Sequence, residues 1–294
     1  MSVNAPTFFV SQFASNIQLL LQQRGSKVRP YVMTGSHVGK QASPVDQVGS
    51  VAMQLVTSRF QPIGRVDALL DRRWVFPSDY DLNQLIDSFD KLKMLLDPKS
   101  SYVQNAVFAA GRTMDDLIID AFFGTAKTGE TGATSTTFPA ANQVAVNFGA
   151  TGNTGLTVAK LREAKRLLMS FEVDLDSDPI TALVTSKQHD NLLAEAQVIS
   201  TDFNERPVLV DGKVTRFLGI NIVHCERLDN DTTPYRRIPV FAKSGMYLGI
   251  WEDIKTDISQ RKDIQSLPWQ CYVQMSAGAT RLEENKVIEI KCAE

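Results

Sequence analysis

One long segment, from Asp97 to Gly124, most constrains how this sequence can fold. Asp97 suits a helix N-cap, Pro98 the first helical position, and Gly124 a C-terminal stop. Between them, apolar residues recur at alternating steps of four and three: Val103, Val107, Ala110, Met114, Leu117 and Ala121. This spacing predicts one amphipathic helix of roughly 36 Å. Because glycine costs about 1 kcal/mol relative to alanine inside a helix, Gly111 predicts close packing or a mild bend.

The residues before this helix form two segments with little core of their own. Residues 1–45 begin with an apolar, Gln-rich stretch that includes Phe9 and Phe13 at helical spacing, and then Gly and Pro punctuate short segments. We expect an arm that packs on the body of its own chain or on a neighbour. Residues 46–80 predict a two-stranded excursion, with strands over 51–60 and 72–76 and a tip near 62–70. A lone two-stranded ribbon is marginal in water, so it should lie against another surface.

The rest of the chain alternates between helical and strand patterns. A second helix is predicted over 82–95, and the Gly- and Thr-rich stretch 125–150 is predicted to be a loop with one strand at 144–148. Helices are predicted over 157–171 and 186–198, and strands over 180–185, 207–210, 214–223 and 238–242, with a hairpin turn at Asp211-Gly212. The polar run 226–237 is predicted to be a surface turn. Long strands over 251–260, 269–281 and 286–291 end the chain. This order predicts an α+β architecture.

Charge and cysteine usage restrict the function. The chain carries 31 Lys and Arg against 33 Asp and Glu, so no bulk positive field marks a nucleic-acid binder, and any DNA contact is local or weak. Cys225, Cys271 and Cys292 form no C-x-x-C pair, which predicts three free thiols in a reducing compartment. The apolar run 17–21 is too short to span a bilayer, so we expect neither a signal peptide nor an anchor.

The search for catalytic chemistry gives weak candidates. Residues 35–40 partly match a phosphate-binding loop, but the spacing is one residue short and Gln41 replaces the Ser or Thr that holds magnesium. Adjacent His224 and Cys225 would point to opposite faces of a strand and chelate a metal poorly. Asp116 and Asp120 share a helix face, where a solvated or salt-bridged role is favoured over acid-base catalysis. We therefore expect no enzyme activity, no cofactor and no metal site.

Basic residues and one tryptophan concentrate on the excursion. A nucleic-acid patch is one interpretation. Contact between subunits is favoured, because Arg and Trp are enriched at interface anchors and this segment lacks a core. The candidate inter-subunit residues, including two from the arm, are Phe9, Phe13, Arg59, Arg65, Arg72, Arg73 and Trp74.

The order of these parts resembles the capsid fold of tailed bacteriophages (Caudovirales), the HK97 fold, across nearly the whole chain. Several local strings are similar to those of phage capsid proteins of this size: Asp71-Arg-Arg-Trp-Val75, Asp97-Pro-x-Ser-x-Tyr102, Gly111-Arg-x-Met-Asp-Asp116, Phe122-Phe-Gly-Thr125 and Gly278-Ala-x-Arg281. The resemblance implies an N-terminal arm (1–45), an extended loop lying over a neighbour (46–80), and a peripheral domain with the long spine helix (81–150). It also implies an α/β axial domain (151–250) and strands that return to the peripheral domain (251–294).

The resemblance further implies a function and partners. The expected function is that of a major capsid protein, which self-assembles through non-covalent contacts into pentamers and hexamers of an icosahedral shell around phage DNA. The expected location is the virion, after synthesis in the bacterial cytoplasm. Expected partners are a portal, packaged DNA in weak non-specific contact and a decoration protein. No long helical prefix precedes the arm, which indicates either a separate scaffolding protein or a chain already lacking its prefix, and Met1 favours the scaffolding protein. The alternatives are an encapsulin-like nanocompartment shell and a cytosolic α/β enzyme.

Overall fold

The computed structural model describes residues 22–39, 42–60, 62–87, 99–195, 198, 212–229 and 235–294. Phe9 and Phe13, most of the first arm helix and the predicted strand 207–210 lie outside these ranges. Within them the architecture is α+β, as predicted, with two large sheets, one small sheet and three helices.

The long helix is confirmed. Helix α1 spans Lys99–Phe123, and the backbone N–H of Gly124 donates to the carbonyl of Asp120 over 2.7 Å where the helix ends. Gly111 packs closely, as expected: a Cβ added there would lie 2.5 Å from the carbonyl carbon of Gly25. The arm therefore crosses the helix at a point where only glycine fits.

Helix α1 packs on a sheet of long strands in the order β1-β12-β13-β4. These are β1 (Met33–Ser36), β12 (Met246–Gln260), β13 (Trp269–Arg281) and β4 (Ser78–Ile86). The helix predicted over 82–95 is wrong in its first part, because 82–86 belong to β4, which pairs antiparallel with β13. Leu82 packs toward the helix and Ile86 is buried, whereas Leu85 is exposed, which is a period of two. Residues 88–95 lie outside the described ranges.

The middle of the chain forms a six-stranded sheet in the order β7-β14-β11-β8-β10-β9. The strands are β7 (Gln143–Val144), β8 (Ile180–Val184), β9 (Arg216–Phe217), β10 (Ile220–His224), β11 (Tyr235–Ala242) and β14 (Val287–Ala293). Helices α2 (Val158–Ser170) and α3 (Ser186–Ala194) accompany this sheet, and the main core cluster lies here. The Thr157 cap of α2 is confirmed, since its side chain accepts from the Lys160 N–H.

Several predicted boundaries in this sheet are wrong. The strand predicted over 214–223 is a short hairpin, β9 and β10, that turns at Leu218 and Gly219. The surface turn predicted through 237 ends earlier, because β11 begins at Tyr235 and pairs there with β14. Strand β14 itself belongs to this sheet rather than returning with the rest of 251–294 to the long strands.

The excursion forms the small sheet, in the order β2-β3-β5-β6. Strand β2 (Ser43–Val48) pairs antiparallel with β3 (Leu70–Val75), and β5 (Ala126–Thr128) and β6 (Thr134–Thr136) extend the sheet. The two-stranded excursion is confirmed, but its first strand is 43–48 and not 51–60. The stretch 125–150 is not the plain loop that its composition predicted, and the strand predicted at 144–148 is reduced to β7.

Candidate inter-subunit surface

The tip of the excursion, residues 49–69, exposes an apolar surface with no partner among the described residues. Phe60 and Ile63 are fully exposed, at 102% and 100% of their reference areas. Other exposed apolar side chains at or beside the tip are Val48, Val51, Met53, Leu55, Val56, Val66, Leu69 and Leu70. Burying one such side chain is worth about 1.5–3 kcal/mol, and monomeric proteins rarely expose so contiguous a patch. An exposed apolar surface of this kind is typical of a protein–protein contact site.

Three of the predicted arginines are exposed or partly exposed on the excursion. Arg59 is exposed, Arg65 pairs with Asp67 over 2.7 Å, and Arg72 pairs with Asp46 across the β2–β3 ladder over 2.5 Å. Exposed ion pairs of this kind contribute little to stability, so they leave these side chains free to exchange partners.

Arg73 differs, because it is buried in its own chain. Its Nη2 lies 2.5 Å from a carboxylate oxygen of Glu284, while its Nε and Nη1 have no hydrogen-bond partner in the described part of the molecule. Arg281 lies 4.0 Å from the other oxygen of Glu284. Arg73 thus fixes the base of the excursion to the body, and this geometry does not support the predicted contact with another subunit.

Trp74 also anchors the base of the excursion. Its indole Nε1 donates to the carbonyl of Gly129 over 2.7 Å, and the guanidinium of Arg72 lies 5.9 Å from its ring. Gly132 faces the ring so closely that a Cβ there would lie 3.0 Å from it. The hairpin β5–β6 therefore holds Trp74, so that only a partly exposed ring remains for a neighbour.

Two further contacts join the excursion to the long sheet. The Gln47 amide donates to the carbonyl of Leu282 over 2.8 Å. Gly278 lies so close to Phe76 that a Cβ there would sit 2.1 Å from the Phe76 carbonyl oxygen. The base is therefore rigidly fastened while the apolar tip projects.

A buried arginine closes the end of the long helix. Arg281 is fully buried, and its guanidinium donates to the carbonyl oxygens of Gly124 over 2.6 Å and of Thr136 over 3.2 Å. Carbonyls at a helix C-terminus lack intrahelical partners and carry partial negative charge, which a cation offsets. Burial lowers the pKa of Arg281, although a guanidinium remains charged. The sequence analysis named Arg281 only as part of the string Gly278-Ala-x-Arg281 and did not predict that it caps the helix.

Asp115 fixes the arm to the helix. Its carboxylate is fully buried and accepts from the Ser26 hydroxyl, from the Gln23 amide and from the backbone N–H groups of Lys27 and Val28 over 3.0 and 3.1 Å. Val28 is itself part of the main core. Residues 22–32 therefore pack on the body of their own chain, which is one of the two arrangements expected for the arm.

Lys160 is a second buried charge that the sequence did not reveal. Its ammonium donates to three backbone carbonyls, those of Thr154, Gly155 and Lys291, over 2.8, 2.9 and 3.0 Å. Burial lowers the pKa of Lys160 and raises that of neighbouring Cys292 to about 12. This contact ties α2 to the last strand.

The remaining chemical candidates adopt structural roles. Residues 35 and 36 of the partial phosphate-loop match end strand β1, which pairs with β12. His224 lies 2.7 Å from Glu226, and Asp116 forms an ion pair with Arg227. The three cysteines are free, as predicted, and all three are buried.

Within the described ranges, no group of three or more His, Cys, Asp or Glu side chains could hold a metal ion. None of the helices in that part of the chain combines the length and apolar character needed to cross a membrane.

Comparison with known proteins gives a consistent result. The family model described as phage capsid protein matches residues 5–294. A search of curated protein sequences found no match. Similar solved structures include the capsid of cyanophage P-SCSP1u, with a TM-score of 0.70, 17% identity, and coverage of 98% of this chain and 94% of that one. The capsid of cyanophage Pam1 gives a TM-score of 0.73 at 14% identity, with 95% of each chain covered. The capsid of a native GTA particle gives a TM-score of 0.68 at 12% identity, with 97% of this chain and 95% of that one covered.

Proposed function

The chain belongs to the phage capsid protein family, and from this premise we propose how its parts divide the work of building a shell. Its role is that of a major, shell-forming capsid protein with the HK97-like fold. We place its action in the virion capsid and assign it a structural rather than a catalytic role.

The proposed assembly contact is the excursion tip against a neighbouring copy. The observation that carries it is the full exposure of Phe60 and Ile63 at the end of a ribbon whose base is fastened by Arg73 and Trp74. A rigid base holds the tip at a defined angle, which reduces the entropy lost when it docks. Copies related by such a head-to-tail contact close into rings, as pentamers and hexamers require.

The proposed division of the subunit follows the sheets. Residues 46–80 act as the extended loop. Helix α1 with β4, β12 and β13 forms the peripheral domain. The six-stranded sheet with α2 and α3 forms the axial domain, to which β14 is added from the C-terminal segment. Residues 1–21 act as an arm between subunits, which includes the contacts proposed for Phe9 and Phe13.

The proposed partners are those of a shell that fills with DNA. They are other copies of the chain, a separate scaffolding protein, a portal, a decoration protein and the packaged DNA, with synthesis in the host cytoplasm. The family match favours this function over an encapsulin-like shell or a cytosolic enzyme.

Negative-stain electron microscopy of the purified protein tests the proposal. We expect capsomers, shells, tubes or irregular polymers. A monodisperse monomer at all concentrations in light scattering would overturn the assembly function.

A further inference from the structure

A basic cavity lies where the arm meets the six-stranded sheet. It has a volume of about 960 Å³ and lies between residues 27–31 of the arm, the start of α3 and the β9–β10 hairpin. Among the described residues, its basic lining consists of Lys27, Lys213, Arg216, His189 and His224, and no Asp or Glu lines it.

The charge of the lining distinguishes this cavity from the others. Four other cavities in the described part of the chain are each lined by three or more carboxylates. The chain as a whole has slightly more acidic than basic residues. A concave site with one sign of charge focuses its field and raises the local concentration of counter-ions.

The walls of the cavity are held in place. The backbone N–H of Lys27 donates to Asp115, and its ammonium donates to the carbonyl of His224 over 3.0 Å. On the opposite wall, the His189 Nε2 accepts from the Val214 N–H over 3.1 Å. The spacing between the arm and the sheet is therefore set by hydrogen bonds and does not depend on a ligand.

Two of the basic side chains have no ion-pair partner among the described residues. Lys213 and Arg216 are exposed and form no ion pair with a described residue. Glu226, two residues beyond His224, is engaged by His224 at 2.7 Å and by the Ser186 N–H at 2.6 Å. Burial lowers the pKa of His189, and the neighbouring His224 and Lys213 lower it further, while Asp190 raises it.

We propose that this cavity binds phosphate groups, and that in the assembled shell these belong to the backbone of the enclosed DNA. The second half rests on the proposed capsid function. Lysine and arginine are the usual phosphate ligands, and Ser186, Thr215 and Asn221 add hydrogen-bonding groups to the lining. Contacts to phosphate carry no sequence information, which suits a shell protein that must hold any DNA. The site gives a nearly neutral chain a local point of contact.

The test is binding of a short fluorescent duplex of arbitrary sequence, measured by anisotropy over a range of NaCl concentrations. The protein is purified in its assembled form, and bound nucleic acid is removed. The variant is Lys213→Ala with Arg216→Ala. The control is Lys255→Ala with Lys262→Ala, which removes the same charge from exposed positions on and beside the long strand β12. We expect the first pair to reduce the slope of log K against log salt by about 1.8, that is about 0.9 for each lost phosphate contact, and the control to leave it unchanged. Equal effects of both pairs, or no effect of either, would overturn the inference.

Two further measurements distinguish DNA from free phosphate as the ligand, and distinguish failure of this inference from failure of the proposed function. If inorganic phosphate at matched ionic strength raises the melting temperature of the wild type through Lys213 and Arg216, but DNA does not bind there, the DNA assignment is overturned. Electron microscopy of the same samples reports assembly independently. Shells without site-dependent DNA binding overturn this inference alone, whereas site-dependent binding without any assembly overturns the proposed function alone. Loss of assembly with unchanged DNA binding assigns the cavity to a contact between copies and overturns the inference.

Discussion

Arg281 lies 157 positions beyond Gly124 in the sequence, yet its Nη1 donates to the Gly124 carbonyl oxygen over 2.6 Å. The contact joins the C-terminal end of α1 to the end of β13, and Glu284 connects the same guanidinium to Arg73 on the excursion. One buried side chain thus links the long helix, the long sheet and the base of the projecting ribbon.

Replacing Arg281 with Met should strongly destabilise the subunit. The substitution leaves the buried carbonyls at the end of α1 without their cation, a loss of about 3–5 kcal/mol in the free energy of unfolding, while Glu284 keeps its ion pair with Arg73. Urea unfolding of dilute protein measures it. The matched control is Arg261→Met, which breaks an exposed ion pair with Asp263 and should change little. Equal stability of both variants would show that Arg281 is not a structural cap.

Replacing Asp115 with Ala should release residues 22–31 from the helix. The change removes the acceptor of two backbone N–H groups and two side chains. We expect faster tryptic cleavage after Arg24 and Lys27, read by mass spectrometry. Asp116→Ala serves as the control, because Asp116 pairs only with partly exposed Arg227 in the described structure. If the two variants are cleaved equally fast, Asp115 does not hold the arm.

Two truncations should separate the assembly arm from the subunit body. Deleting residues 1–21 removes none of the described contacts and should leave a folded subunit that assembles poorly. Deleting residues 1–30 also removes Val28 and the groups that hydrogen-bond Asp115, so it should lower the melting temperature. Circular dichroism and electron microscopy provide the two measurements. Unfolding of the shorter truncation would place residues 1–21 in the core instead.

Placing charge on the excursion tip should block assembly without unfolding the subunit. Phe60→Asp and Ile63→Asp alter side chains that are fully exposed in the described structure, so melting should be unchanged while light scattering shows smaller particles. Ser58→Asp introduces the same charge in the same exposed segment and should assemble more readily. Normal shells from both apolar variants would locate the contact elsewhere.

Mature particles should contain no covalent link through the extended loop. Residues 41–90 contain no lysine, and the arginines there stay protonated and are poor nucleophiles. Particles boiled in detergent under reducing conditions should run as one band at the subunit mass. A ladder of heavier bands would contradict this and point to a cross-linking residue outside the loop.

The sequence by itself determined the elements whose signals are local. The helix α1, the Thr157 cap of α2 and the buried run of β8 each arise from neighbours within a few residues, and each is present in the structure. The most buried face of α1, with Ala106, Ile118 and Phe122, is nevertheless offset from the predicted stripe, of which only Met114 is fully buried. The order of these elements was enough to indicate the family. The charge balance and unpaired cysteines also follow from composition alone.

Tertiary structure decided which pattern became a strand and which charge became buried. Leu82 and Ile86 suit a helix as well as a strand, and pairing with β13 selected the strand. Residues 51–60 were predicted to be a strand, but the β2–β3 register leaves them beyond the paired strands, at an exposed tip.

Three buried charges also could not be predicted from the sequence. Asp115, Lys160 and Arg281 look like ordinary surface residues in sequence, because the groups that compensate them include some that lie 87 to 160 positions away. Burial of a charge is stable only when such distant partners converge on it, and that convergence is a property of the folded chain and not of any local pattern.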